Sequence, residues 1–344
     1  MSLVLITFSF LGCNIEGISG ASLSDLECPD NYLLVEPNST YKTNQFCVMK
    51  YEAKLMYASD GAGDFSNAFI VSDGNASGTY DYDTDYDTSS ELVKYKAVSS
   101  ATGRPWSNIK RGNNETTDGE GALEACQKLN EQEGVENKYD LITNDEWQAM
   151  AREIEAQKSG DTNNWGTDSF GNSILNHGNA DTSPGESCDA SYEYVETDCD
   201  NSGSETKYEE KRTHFLASGE KIWDVAGNVV ERLKDNSPAS MGSNAYGSQI
   251  TDSTHTGTFS LSGGLSTTAR TVKSLFGPAG DYTSSNSGNY AGIGQFVLGS
   301  PTALSLLRGG RAGHEEKSGI FRLNNYGDTT GVSSNAGFRC VYRR

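Results

Sequence analysis

Apolar residues interleave with polar ones through FCVMKYEAKLMY (46–57), where Phe46, Val48 and Tyr51 predict a strand. From Ser59 to Ser90 the pattern dissolves into Gly, Asp, Ser and Tyr, including DYDTDYDTSS, and predicts loop. Helical spacing follows in TTDGEGALEACQKLNEQ, where Leu123, Cys126 and Leu129 form one apolar stripe with Cys126 on the buried face. YDLITNDEWQAMAREIEAQ carries a capping box, Thr143 as N-cap and Glu146 three residues later. Trp147, Met150, Ala151 and Ile154 are then the core face of that helix. Asn163 to about Glu210 reads mostly as loop, KIWDVAGNVVERL interrupts it, and polar sequence resumes from Asn236 to Ser300. No repeat of fixed period is present.

Charge and composition narrow the classes. The chain has 344 residues, 22% of them charged, 35% hydrophobic, and a net charge of −20. That length buries a sizeable core, as one large loop-rich domain or two smaller ones. The acidic balance repels phosphate backbones and excludes nucleic-acid binding through a broad basic surface. No apolar run is long enough to span a bilayer. The start, MSLVLITFSFLGCNIEG, resembles a bacterial lipoprotein signal: residues 1–12 would be removed, Cys13 acylated, and residues 13–27 left as a tether. It departs from that pattern at Phe10, where Leu is usual, and in having no Lys or Arg before the apolar run. An ordinary secretory signal and a plain apolar tail are the alternatives. Seven cysteines become six once Cys13 is set aside, an even number suited to an oxidising compartment. Six allow fifteen pairings; pairing near neighbours gives Cys28–Cys47 and Cys188–Cys199. No CxxC spacing occurs, which argues against zinc and iron–sulfur sites.

Candidate chemistry is sparse. An EF-hand loop starting at Asp81 places Tyr86 and Leu92 where Gly and Glu are needed; starting at Asp83 it places Thr88 and Lys94. A solvated acidic loop is the better reading. His177, His214, His255 and His314 form no HxxxH grouping and read as surface histidines. No GxSxG, GxxxxGK[ST] or HExxH occurs. Glu315 and Glu316 are adjacent, so on a strand they face opposite ways.

Three ordered segments carry a family resemblance. YDLITNDEWQAMAREIE, IWDVAGNVVERL and LRGGRAGHEEKSGIFRLNN…NAGFRCVY resemble motifs of the formylglycine-generating, or sulfatase-modifying-factor, family. The resemblance covers about residues 45 to 342. It implies an α+β fold, an elaborated C-type-lectin-like domain over residues 28–344 with long loops and little regular structure. It also implies a disulfide from the first helix to the last strand, Cys126–Cys340. Enzymes of the family hold copper with two cysteines just after the double glycine, since soft thiolates suit Cu(I). Here Arg311 to Arg322 contains no cysteine, so no copper and no catalytic residue are expected. An iron-dependent sister branch needs a histidine set that this chain does not show. Asn228 and Glu231 match positions that bind structural calcium in the family, with Val230 and Leu233 standing where the family has Trp.

The last segment is also similar to the ligand-binding ends of retroelement-diversified lectin-like proteins. That similarity makes Gly319, Phe321 and Gly337-Phe338-Arg339 scaffold. It makes Arg311, His314, Glu315, Lys317, Arg322, Asn324, Asn325 and Tyr326 the displayed, ligand-contacting surface. The expectation is an exported, lipid-anchored envelope protein, at a membrane surface, in the periplasm or outside the cell, binding a glycan or protein without catalysis. A formylglycine-generating oxidase and a purely structural envelope lipoprotein are the alternatives.

Overall fold

The computed structural model describes residues 26–58, 65–70, 95–112, 121–167, 173–180, 211–236, 258–259, 269–280, 282, 292–297, 305–324 and 333–344. Strand Phe46–Met49 forms where the pattern predicts one, ends before Tyr51, and buries all four side chains. Its two faces feed different cores. Phe46 and Val48 join an apolar cluster with Trp147, Met150, Phe321 and Val341. Met49 joins a second cluster with Leu55, Trp106, Leu123 and Phe338.

That strand belongs to a four-stranded antiparallel sheet ordered Tyr32–Val35, Phe46–Met49, Cys340–Arg343, Tyr139–Leu141. The terminal strand is internal to this sheet, with Val341 paired to Val48 on one side and Asp140 on the other. Helix α1, Ala122–Gln132, buries Leu123, Cys126 and Leu129 as the spacing predicts. Cys126 is bonded to Cys340, and Cys28 to Cys47. Cys13, Cys188, Cys199 and the 81–90 acidic ladder lie outside the described residues.

Helix α2, Asn144–Ala156, opens with the predicted capping box: Thr143 Oγ1 accepts from Glu146 N at 3.3 Å, and Glu146 Oε2 accepts from Thr143 N at 2.9 Å. Trp147, Met150, Ala151 and Ile154 are all fully buried beneath it. A five-stranded mixed sheet lies below, ordered Phe296–Val297, Leu323–Asn324, Ser305–Arg308, Val230–Asn236, Ala336–Phe338. The result is α+β, with few helices, many short strands in small sheets, and much irregular chain.

Two stretches read as loop contain elements. Trp165–Thr167 and Ser173–Leu175 pair as a hairpin. Between 236 and 300 lie the paired strands Thr258–Phe259 and Arg270–Thr271 and helix α3, Val272–Phe276, whose Val272, Leu275 and Phe276 are buried. Pieces of two to five residues are too short to show a hydrophobic period. Among the described residues, no helix is long and apolar enough to cross a membrane.

Candidate functional site

The C-terminal segment starts from strand Ser305–Arg308, all four residues of which are buried. The Arg308 guanidinium donates to Gln148 Oε1 at 2.8 Å and to the Phe276 carbonyl at 3.1 Å, tying α2 to α3. The double glycine that follows is a packing requirement. A Cβ on Gly310 would lie 2.2 Å from the Ser318 side chain and 2.7 Å from the Ala226 carbonyl. Only a bare backbone brings the segment that close to the 225–228 turn.

From there the backbone is pinned at successive points. Ala312 N donates to the Asn228 carbonyl at 2.9 Å and Glu315 N to the Ala180 carbonyl at 3.1 Å. Gln295 N donates to the Lys317 carbonyl at 2.9 Å, and Phe321 N to the Ile293 carbonyl at 3.0 Å. Glu315–Lys317 is a short 3-10 turn, not a strand, so the opposite-faces reading of Glu315 and Glu316 does not hold. A Cβ on Gly319 would meet the backbone of 292–294 at 2.4 Å, which fixes where the segment turns inward.

The displayed set divides. Glu315 and Lys317 are exposed, and Arg311, His314 and Asn324 are half-buried. Arg322 is not displayed: it is 4% exposed, with Nη1 donating to the Lys317 carbonyl at 2.8 Å. It braces the turn from beneath because the chain at 322 packs against Gly294. Asn325 and Tyr326 lie outside the described residues. Arg311 Nε donates to His314 Nε2 at 2.7 Å, which places the imidazole proton on Nδ1. Burial, and then the nearby Arg322, Arg311 and Lys317 charges, push the His314 pKa down to about 3. Its imidazole is neutral at physiological pH, so among the described side chains the outward charges of this turn are Arg311, Glu315 and Lys317.

His177 and His214 are not surface residues as the sequence suggests, at 5% and 0% exposure. His214 lies in strand Thr213–Phe215, with Nε2 3.0 Å from the Asn176 carbonyl. Burial drives its pKa to about 3, which keeps it neutral. Chain from the 173–180 region covers it, and no local pattern announces that. His255 lies outside the described residues.

Asn228 and Glu231, the calcium candidates, sit in a buried charge network. Asn228 takes a left-handed backbone (φ 67°), and its Nδ2 donates to Glu52 Oε2 at 2.5 Å. Its Oδ1 accepts from Asn179 Nδ2 at 3.1 Å. Val229 N donates to Glu52 Oε1 at 3.2 Å. Glu231 Oε1 accepts from Arg339 Nε at 2.7 Å, and Arg339 Nη1 donates to the Met49 carbonyl at 3.0 Å. Arg212 grips Asp224 through two bonds of 2.6 and 2.7 Å. Lys54 Nζ stands 4.0 Å from Glu52. Burial pushes the Glu52 and Glu231 carboxyls up and the Lys54 ammonium down, and the opposite charges between them counter this. Asn228 thus turns a donor, not an oxygen, toward the nearest carboxylate, and one Glu231 oxygen is held by a guanidinium. This donor set does not fit a calcium ion as it stands. Among the described residues no three His, Cys, Asp or Glu side chains group to hold a metal.

One concavity escapes sequence reasoning. A cavity of about 650 Å³ lies between α1 and the strands Ala53–Tyr57 and Tyr95–Ser99, lined by Tyr32, Tyr51, Tyr139, Lys96, Ser99 and Glu133 among others. Tyr32 and Tyr139 meet edge-on at 6.0 Å, and Lys96 pairs with Glu133 at the wall. Its lining comes from widely separated stretches of chain, so no sequence spacing marks it.

No family model matches the sequence, and no curated protein matches it. Among solved structures, Treponema denticola variable protein 1 is similar with a TM-score of 0.32 and 17% identity, over 92% of this chain and 100% of that one. A likeness at that level carries no functional weight.

Proposed function

We propose that the chain is an exported envelope protein, lipid-anchored at Cys13, whose lectin-like domain binds a glycan or protein through residues 311–326 without catalysis. The observation that supports this is the turn at 311–317. Three backbone hydrogen bonds to separate parts of the scaffold fix its shape, while the side chains of Glu315 and Lys317 point to solvent. A surface ordered in advance loses little conformational entropy on binding, which is the economy a recognition site needs. Arg311 and Lys317 supply directional donors, and the catalytic thiolates of the resembled enzymes have no counterpart between Arg311 and Arg322.

Glycan and protein arrays probed with the full chain in detergent test the reading. Array hits should weaken about tenfold or more in Arg311→Ala and Lys317→Ala, with little change in melting temperature, because surface substitutions rarely move stability by more than about 0.5 kcal/mol. Full retention of binding in both variants would place the contact elsewhere, with the cavity at Tyr51 and Lys96 next in line. The same preparation, given copper and a sulfatase-type cysteine peptide, should yield no aldehyde; formylglycine in that peptide would overturn the non-catalytic reading.

A further inference from the structure

We infer that the Lys54 ammonium is a built-in counter-cation, holding the carboxylates around Asn228 together in the role that a bound divalent cation would otherwise fill. Three carboxylates, Glu52, Asp224 and Glu231, are sequestered at no more than 1% exposure. Uncompensated, they would repel one another in a medium that screens charge poorly. Three cations are buried with them: Arg212, Arg339 and Lys54, each at 0%. Among the described residues, the formal charges of this network cancel, three against three.

The three cations are not equivalent. Arg212 and Arg339 are committed by geometry, one to both oxygens of Asp224 and the other to Glu231 and two carbonyls. Lys54 makes no hydrogen bond through Nζ and approaches Glu52 only to 4.0 Å. It acts as a compact point charge, felt by Glu52, Asp224 and Glu231 together. Glu231 Oε2, likewise buried, has no donor. An ammonium without a hydrogen bond and a carboxylate oxygen without a donor, in one buried network, are what a site built around a central positive charge leaves when the charge is carried on a side chain.

The local sequence explains how Lys54 arrives there. Glu52 and Lys54 are two residues apart in extended chain, so they leave the backbone on the same side. Ala53 and Leu55, on the other side, enter the cluster around Trp106 and Phe338. The alternation that buries Leu55 therefore carries the carboxylate and the ammonium to the 224–231 turn together.

Three arms on the purified full chain test the inference. Wild-type chain should carry no stoichiometric calcium by elemental analysis after dialysis, and neither EDTA nor millimolar calcium chloride should move its melting temperature by more than about 1 °C. Lys54→Met, which keeps the stem and removes the charge, should melt at least about 5 °C lower, and millimolar calcium should recover part of that loss. Lys54→Met combined with Glu231→Gln restores neutrality; the amide keeps an acceptor for Arg339 and puts its NH2 where Oε2 has no donor. That double variant should melt above Lys54→Met and ignore calcium. Stoichiometric calcium in the wild type, an EDTA-sensitive wild type, or a double variant no more stable than Lys54→Met overturns the inference. So does a Lys54→Met chain that calcium leaves unchanged. If Lys54→Met does not fold alone, folding of the double variant without calcium decides in favour, and its failure to fold decides against.

Discussion

At the scale of single residues, Asp235 shows what burial does to a charge. Its Oδ2 accepts from Asn144 N at 2.6 Å, beneath the first turn of α2. Burial, opposed by that bond and reinforced by Asp145 and Glu146, raises its pKa to about 7. An unfolded aspartate titrates near 4. The folded state therefore holds the proton more tightly, so this group's contribution is complete below about pH 4 and is lost as pH rises toward 7. Asp235→Asn keeps an acceptor for Asn144 and removes the titration. It should match the wild type near pH 4 and exceed it at pH 8, by about 1.4 kcal/mol for each pKa unit between the folded and unfolded states. Denaturant titrations at the two pH values measure this, and parallel curves would refute it. Such residues were not legible beforehand. Arg322 and His214 look in sequence like any polar side chain among others, and only chain arriving from 292–297 or 173–180 decides that they are covered.

At the scale of elements, legibility followed length. Helices α1 and α2, of 11 and 13 residues, show their apolar stripes through three turns, and the box at Thr143 announces where the second begins. Thr143→Ala removes one half of that box and should cost about 1 kcal/mol by thermal or chemical denaturation. Glu146→Ala should cost more, because the same carboxylate also accepts from Arg343 Nε at 2.6 Å and so joins α2 to the terminal strand. Helix α3, at five residues, and strands of two residues carry no period of their own. Their positions are set by what they meet, as when Arg308 reaches the Phe276 carbonyl. The frame of the candidate site was readable for a related reason. Gly309, Gly310 and Gly319 mark places where backbone must touch backbone, whereas the outward or inward aim of Arg311 and Arg322 depends on neighbours far along the chain.

At the scale of the whole molecule, the link between Cys126 and Cys340 spans 214 residues. Closing so long a loop should stabilise the chain by about 5 kcal/mol in entropy terms, with native-state strain subtracting from it. Replacing both cysteines with alanine should lower the melting temperature well beyond the effect of losing Cys28–Cys47, whose loop spans 19 residues. Equal effects would show that loop length is not what matters. The placement of the last strand has a further consequence, for the timing of folding. Strand Cys340–Arg343 lies between Phe46–Met49 and Tyr139–Leu141, so neither of those can complete its pairing until residues 340–343 have been synthesised. Strand Tyr139–Leu141 therefore waits without its sheet neighbour while all the chain between it and residue 340 is being made.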